Sequence, residues 1–147
     1  MKRYNLINNC LGWLCFVIAA ATYLLTIEPT ASFWDCPEFI AQGFKLEVGH
    51  PPGNPIFMLA ARFFVNFTGG EPGMAAVAVN SMNALLSAGT ILLLFWTISH
   101  LMRRLLGGYK PVEELPAAQW VVIFGSAMVG ALAYAWSDTF WYSAVEY

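Results

Sequence analysis

Charge is the scarcest property of this chain. Only 11% of its 147 residues are Asp, Glu, Lys or Arg, less than half the roughly 25% of an ordinary soluble domain. The scarcity is also segregated: the stretches 4–27, 72–102 and 115–137 contain none of these four residues. Each is long enough for the roughly 20 residues that a membrane-spanning helix requires. Only three cysteines are present. The three thiols fall at Cys10 and Cys15 in the first apolar run and Cys36 beyond it, which excludes a disulfide framework. No CxxC pair or clustered His/Cys pattern supports a structural zinc site. Basic runs are missing too, and with a net charge of −2 the sequence offers no footprint for nucleic acid.

What remains is apolar: 59% of the residues are hydrophobic. The pattern predicts an all-α integral membrane protein with three transmembrane helices, at 7–27, 80–102 and 118–136. Between the first two lies a long segment, 28–79, and between the last two a short one, 103–117; residues 137–147 begin a further loop. Glu28-Pro29 ends the first span by removing both apolarity and a backbone donor. Lys2 and Arg3 ahead of an apolar run also fit a cleavable signal, but the run continues past Ala19-Ala20-Ala21 and reads as a retained anchor. Within the second span, Ser81, Asn83, Ser87, Thr90 and Thr97 are tolerable where they face other helices. Gly125, Ser126, Ala127, Gly130, Ala131 and Ala133 give the third a small-residue face for close packing.

Threading three spans places Lys2, Arg3, Arg103, Arg104 and Lys110 on one side, which the positive-inside rule makes cytoplasmic. The 28–79 loop and the segment from 137 are then on the outer side, periplasmic or luminal, as in a bacterial inner-membrane protein. A loop of that length is structured or functional rather than a connector. Residues 32–48 read as a helix with Ser32 as N-cap and Asp35 three residues later, as in a capping box. His50 to Pro55 form a stiff turn, because proline restricts both its own φ and the residue before it. Residues 56–67 are too short to span and read as an amphipathic interfacial helix with Arg62 and Asn66 on its wet side.

The chemistry-bearing candidates lie in that outer loop. Asp35 and Glu38 share one face of a helix, and Gln42 continues the stripe. Two carboxylates can divide acid and base work, yet the same acids can merely cap a helix and favour its dipole. His50 titrates near neutrality and suits proton transfer or a phosphate contact, or it is simply solvated. Arg62 can pair with a lipid phosphate or only snorkel. Asp138 and Glu146 extend the acidic site from the second outer loop, or are ordinary loop acids. Trp34, Trp136, Trp141 and Tyr142 read as interface anchors. A transporter is disfavoured, since no charged residue lies inside a span.

The string Phe33-Trp34-Asp35-Cys36-Pro37-Glu38-Phe39-Ile40, followed by Gly49-His50-Pro51-Pro52-Gly53-Asn54-Pro55, resembles the N-terminus of the DUF2723 family. These are the protein O-mannosyltransferase-like membrane proteins of the TMEM260 type. Trp136-Ser137-Asp138-Thr139-Phe140-Trp141-Tyr142-Ser143-Ala144-Val145-Glu146 resembles the same family's second outer loop. The resemblance implies the N-terminal part of a GT-C type glycosyltransferase. Such an enzyme takes a sugar such as mannose from a polyprenyl-phosphate donor and passes it to a protein Ser or Thr hydroxyl on the non-cytoplasmic side. It implies Asp35 as the essential acid of the first outer loop. The mechanism this suggests makes Asp35 the general base and Glu38 its orienting partner, with His50 and Arg62 near the donor phosphate and Gln42, Asp138 and Glu146 as further substrate-binding candidates. Family members are longer, so the chain is expected to be an N-terminal piece that is inactive alone. The lipid-linked donor is the one small molecule implied, and two carboxylates are weak support for a divalent metal. The competing class is a non-catalytic anchor or assembly subunit whose acids serve only packing.

Overall fold

The computed structural model describes residues 2–146 apart from Phe33, Pro52 and Tyr109. The Phe33 and Pro52 positions of the two loop motifs therefore lie outside the described residues. The fold is all-helical: α1 Lys2–Leu25, α2 Cys36–Lys45, α3 Pro55–Asn66, α4 Ala75–Gly107, α5 Ala117–Ala135 and α6 Asp138–Val145, with short 3-10 turns at Pro72–Met74 and Val112–Glu114. Among the described residues, three helices are long and apolar enough to cross a membrane, namely α1, α4 with the turn preceding it, and α5. At 1.5 Å per residue, the 33 residues of α4 measure roughly 50 Å, well beyond the roughly 30 Å of hydrocarbon. Its C-terminal end accordingly runs past the uncharged stretch 72–102 to Gly107, because a helix keeps its backbone hydrogen bonds internal whether or not its side chains are wet.

The contacts divide into two compact units. One comprises Met1–Ala21 and Ala88–Phe140. Its buried residues include Cys15, Ala19, Ile91, Phe95, Ile123, Ala127, Ala131 and Ala135. The small-residue face of α5 is thus the stripe 127, 131, 135, at the i, i+4 spacing that lines one side of a helix. Gly130 beside it meets Ile98, whose Cδ1 would stand 2.9 Å from a Cβ at that position. Gly125 and Ala133 face outward, so the face is narrower than the run of small residues suggests. Tyr4 of α1 is buried against Trp120 and Phe124 of α5, with ring centroids 5.4 and 4.9 Å away.

The other unit comprises Thr22–Ser87 and Trp141–Tyr147. Its core joins Cys36 and Ile40 of α2, Ala61 and Val65 of α3, and Ala75, Ala78, Val79 and Met82 of α4. Helix α2 is shorter than the expected 32–48. Ser32 is not its N-cap: that position belongs to Asp35, while the Ser32 hydroxyl bonds Glu146. Pro37 occupies the first turn, where its missing N–H is harmless. Leu46 stops the helix by entering the left-handed region, at φ 56° and ψ 51°, a conformation few non-glycine residues adopt.

Helix α3 buries Met58, Ala61 and Val65, and its exposed face is Ile56, Leu59, Phe63 and Phe67. That face is apolar, as an interfacial helix requires. Arg62 does not lie in water as expected, being half-buried with a guanidinium nitrogen donating to the Phe44 carbonyl at the end of α2. Asn66 is exposed.

Two asparagines of α4 tie the connecting segments down. The buried Asn80 amide donates to the Glu28 carbonyl at 2.9 Å, and Asn83 donates to the carbonyls of Ser143 and Glu146 at 2.6 and 3.1 Å. The Glu28 amide closes the set by donating to the Val145 carbonyl at 3.2 Å. The α2–α3 pair depends on Gly43, since a Cβ there would stand 2.7 Å from the Cβ of Ala61, a contact with no flexible end to yield. Gly43→Ala is expected to weaken the pairing by about 1–3 kcal/mol, although alanine is the better helix former. Faster amide exchange across 36–66 is the expected readout, and unchanged exchange would show that the close approach is not limiting.

Candidate functional site

Asp35 occupies the N-cap position of α2, and its carbonyl accepts the first helical hydrogen bond, from Phe39 at 3.0 Å. Its side chain makes no cap hydrogen bond. The backbone explains this: N-cap residues are ordinarily extended, whereas Asp35 sits at φ −82° and ψ −3°, in the bridge region that active-site residues often occupy. Trp34, immediately before it, holds φ 61° and is 95% exposed. A left-handed tryptophan carries local backbone strain of the kind that gathers at functional sites. The Asp35 side chain is accordingly 66% exposed.

One turn along, Glu38 is the hub of a hydrogen-bonded group. The His50 Nδ1 lies 3.0 Å from each of its carboxylate oxygens, and the His50 backbone amide donates to Oε1 at 3.3 Å. The buried Gln42 amide donates to the same oxygen. With Glu38 ionised, Nδ1 must carry the proton, which directs Nε2 towards Asp35, 4.0 Å from its Oδ2. In the turn that returns His50 to α2, Gly49 leaves room for the Gln42 side chain, whose Oε1 would stand 2.5 Å from a Cβ there. The Phe39 ring stands edge-on to the imidazole at 6.0 Å between centroids.

These contacts shift both partners. The hydrogen bond from His50 holds the Glu38 carboxyl below its ordinary range. The same hydrogen bond and then the Glu38 charge raise His50, with Asp35 adding in the same direction.

Asp35 lines an open cleft of about 540 Å³ together with Ser32, Trp34, Phe39, Asn83, Ser87 and Glu146. The Ser32 hydroxyl donates to Glu146 at 2.5 Å, and a hydrogen bond to Glu146 raises the Tyr142 phenol. The cleft therefore holds one acid tied to hydroxyls, Glu146, and one that is not used as a cap, Asp35. Glu38, Gln42 and His50 do not line it; they stand behind Asp35. Asp138 is exposed in the first turn of α6 and is not among the residues that line the cleft. Arg62 is engaged with Phe44, nine positions along the chain from Asp35 and at the opposite end of α2. Among the described residues, no group of three or more His, Cys, Asp or Glu is arranged to hold a metal ion.

Sequence reasoning did not single out Ser32, Asn83 or Ser87 for the cleft. The available signal was the spacing of Asn83 and Ser87, four apart on α4 and hence on one helix face.

The signs of the two shifts define a pH window. A raised His50 contributes stability that is fully present below its unfolded pKa and is lost as pH rises through the folded value. A lowered Glu38 contributes above its unfolded pKa and is lost as pH falls through the folded value. Their contact is therefore intact from below the ordinary carboxylate range to above the ordinary imidazole range. In an NMR titration, His50 is expected to titrate above an ordinary imidazole, and Glu38→Gln to bring it down. An unmoved His50 in that variant would remove Glu38 as its partner.

The comparisons with known proteins agree with one another. The family described as Protein O-mannosyl-transferase TMEM260 N-terminal domain matches residues 35–147, a span that begins at Asp35 and includes the Glu38–His50 group and Glu146. The mouse (Mus musculus) protein described as Protein O-mannosyl-transferase TMEM260 is 33% identical over 93 residues, which is 63% of this chain and 13% of that protein. The chain thus aligns with only a small part of that relative's length. No solved structure matches it. With more than half of its residues matched by the family, the chain belongs to the TMEM260-type protein O-mannosyl-transferase N-terminal domain family.

Proposed function

We propose that this chain supplies the acid-bearing part of a GT-C type glycosyltransferase active site. The reaction is transfer of a mannose-type sugar from a polyprenyl-phosphate donor to a protein Ser or Thr hydroxyl, on the non-cytoplasmic side. The observation that carries the reading is Asp35, a carboxylate at a helix N-cap that makes no cap hydrogen bond and stands exposed at the edge of a cleft. Membership of a family named for protein O-mannosyl transfer supports the reaction class. The placement of Lys2, Arg3, Arg103, Arg104 and Lys110 supports the orientation.

In this reading Asp35 accepts the proton of the acceptor hydroxyl as the oxygen forms its bond to the sugar's anomeric carbon. The bond from that carbon to the phosphate oxygen breaks, its electron pair stays on the lipid phosphate, and the anomeric centre inverts. Proton removal by a positioned base contributes typically 10²–10⁴-fold. Glu38 acts through His50: it fixes the imidazole and keeps it cationic, and that cation faces the Asp35 carboxylate. Glu146, held by Ser32, presents a second carboxylate across the cleft for orienting the acceptor. The Arg62 guanidinium is occupied at the Phe44 carbonyl and takes no part.

The test is Asp35→Asn in the full-length protein in membranes, which is expected to lower glycan transfer by about 10²–10⁴-fold while leaving membrane insertion unchanged. Undiminished transfer would overturn Asp35 as base. Glu38→Gln is expected to cost less and to move the alkaline side of the pH profile to lower pH, because His50 then loses its proton earlier.

A further inference from the structure

Among the described residues, Trp34 is the most exposed of the large hydrophobic side chains, at 95%. Its backbone sits at φ 61°, in a region that bulky residues avoid. Neither feature helps the fold. An indole left in water buries no apolar area, and glycine is the residue suited to a positive φ. Strain of this kind persists where a demand other than stability maintains it.

The demand is read from the cleft. Trp34 and Phe39 line it with aromatic surface, and Asp35, Glu146, Asn83 and Ser87 line it with carboxylate, amide and hydroxyl groups. All of them belong to the unit of Thr22–Ser87 and Trp141–Tyr147. Its volume of about 540 Å³ falls within the roughly 300–1,000 Å³ of small-molecule sites. Asp35 makes no cap hydrogen bond, and Glu146 accepts from Ser32 through one oxygen with lone pairs to spare, so capacity to accept from hydroxyls remains. A hexose divides its surface in the same way. Its ring edge carries hydroxyls, and its faces carry C–H bonds whose weakly positive hydrogens suit the negative face of an aromatic ring. A peptide hydroxyl needs one such acceptor, whereas a sugar ring uses several and an aromatic face besides.

We propose that Trp34 contacts substrate directly, stacking on the sugar ring of the lipid-linked donor. The inference rests on the donor reading given above and adds to it the residue that recognises the sugar. Stacking on the ring acts before and during transfer alike, so it sets affinity for the sugar-bearing lipid rather than the rate of the chemical step. The polyprenyl phosphate makes no use of the indole. A membrane-interface anchor, the common role of an exposed tryptophan in such proteins, would not distinguish a lipid with a sugar from one without.

That difference is the test. Isothermal titration calorimetry of the full-length protein in detergent compares polyprenyl-phosphate mannose with bare polyprenyl phosphate, for wild type, Trp34→Gly and Trp34→Phe. Trp34→Gly is expected to weaken the sugar-bearing lipid about tenfold and to leave the bare lipid unchanged. Its melting temperature is expected to be unchanged or higher, since glycine relieves the positive φ. Trp34→Phe keeps a stacking face and is expected to stay within about threefold of wild type. Equal weakening of both lipids, as an anchor or a fold defect would produce, would overturn the proposal, and so would unchanged binding of both. Wild-type protein with no preference for the sugar-bearing lipid would sink the donor reading and this inference together. Loss of Asp35 as base, read from transfer in Asp35→Asn, would leave the binding result standing.

Discussion

The unit of Thr22–Ser87 and Trp141–Tyr147 depends on a requirement of the apolar phase: a buried amide donor must find partners, and so must the carbonyls at the end of any segment packed against it. Asn80 and Asn83 lie one turn apart on α4, and their amides take the carbonyls of Glu28 on one strand of chain and of Ser143 and Glu146 on another. Four or more unpaired groups would otherwise sit against hydrocarbon or a packed core, each unfavourable by about 1–3 kcal/mol. Because the last turn of α6 is tied to α4 in this way, Glu146 is placed where Ser32 can reach it. The cleft wall opposite Asp35 is thus a by-product of satisfying backbone carbonyls.

Asp35 itself is supported by a different force. Glu38 and His50 are twelve residues apart in sequence, and α2 alone cannot bring them together. The chain must reverse after Lys45, which it does through the left-handed Leu46 and the side-chain-free Gly49. The Gln42 amide then occupies the space that Gly49 leaves, and its hydrogen bond to Glu38 fixes the carboxylate that holds His50. Each member positions the next, so the orientation of the imidazole towards Asp35 is built from the same few contacts that end the helix.

Much of this was legible in the sequence, and the parts that were not have identifiable causes. The three long helices followed from uncharged apolar runs, and α3 from a run too short to span with proline at its start. Asp35, Glu38 and Gln42 were legible as a group because i, i+3 and i, i+4 spacing on a helix is a local property, whereas the contact of His50 with Glu38, twelve residues away, was not. The role of Ser32 was not: a serine before an acidic helix start looks like a cap, and its actual partner is 114 residues away. Arg62 was misplaced for a related reason. Periodicity assigns a face, but whether that face meets water or the end of another helix is decided by Gly43 letting α2 and α3 approach. The early stop of α2 was invisible as well, since nothing in the identity of Leu46 announces a positive φ.

That last class of failure carries the most information about function. A sequence normally agrees with its structure at each level, and disagreements concentrate where another demand competes. Around Asp35 there are two in adjacent residues. Trp34 takes a backbone conformation that bulky residues avoid, and Asp35 takes the cap position in a conformation from which its carboxylate cannot cap. A rotation of the Asp35 backbone into the extended region would recover the capping hydrogen bond that the position ordinarily provides. The observed geometry keeps the carboxylate available and forgoes the cap, which is the arrangement expected of an acid held ready for a substrate rather than for its own helix.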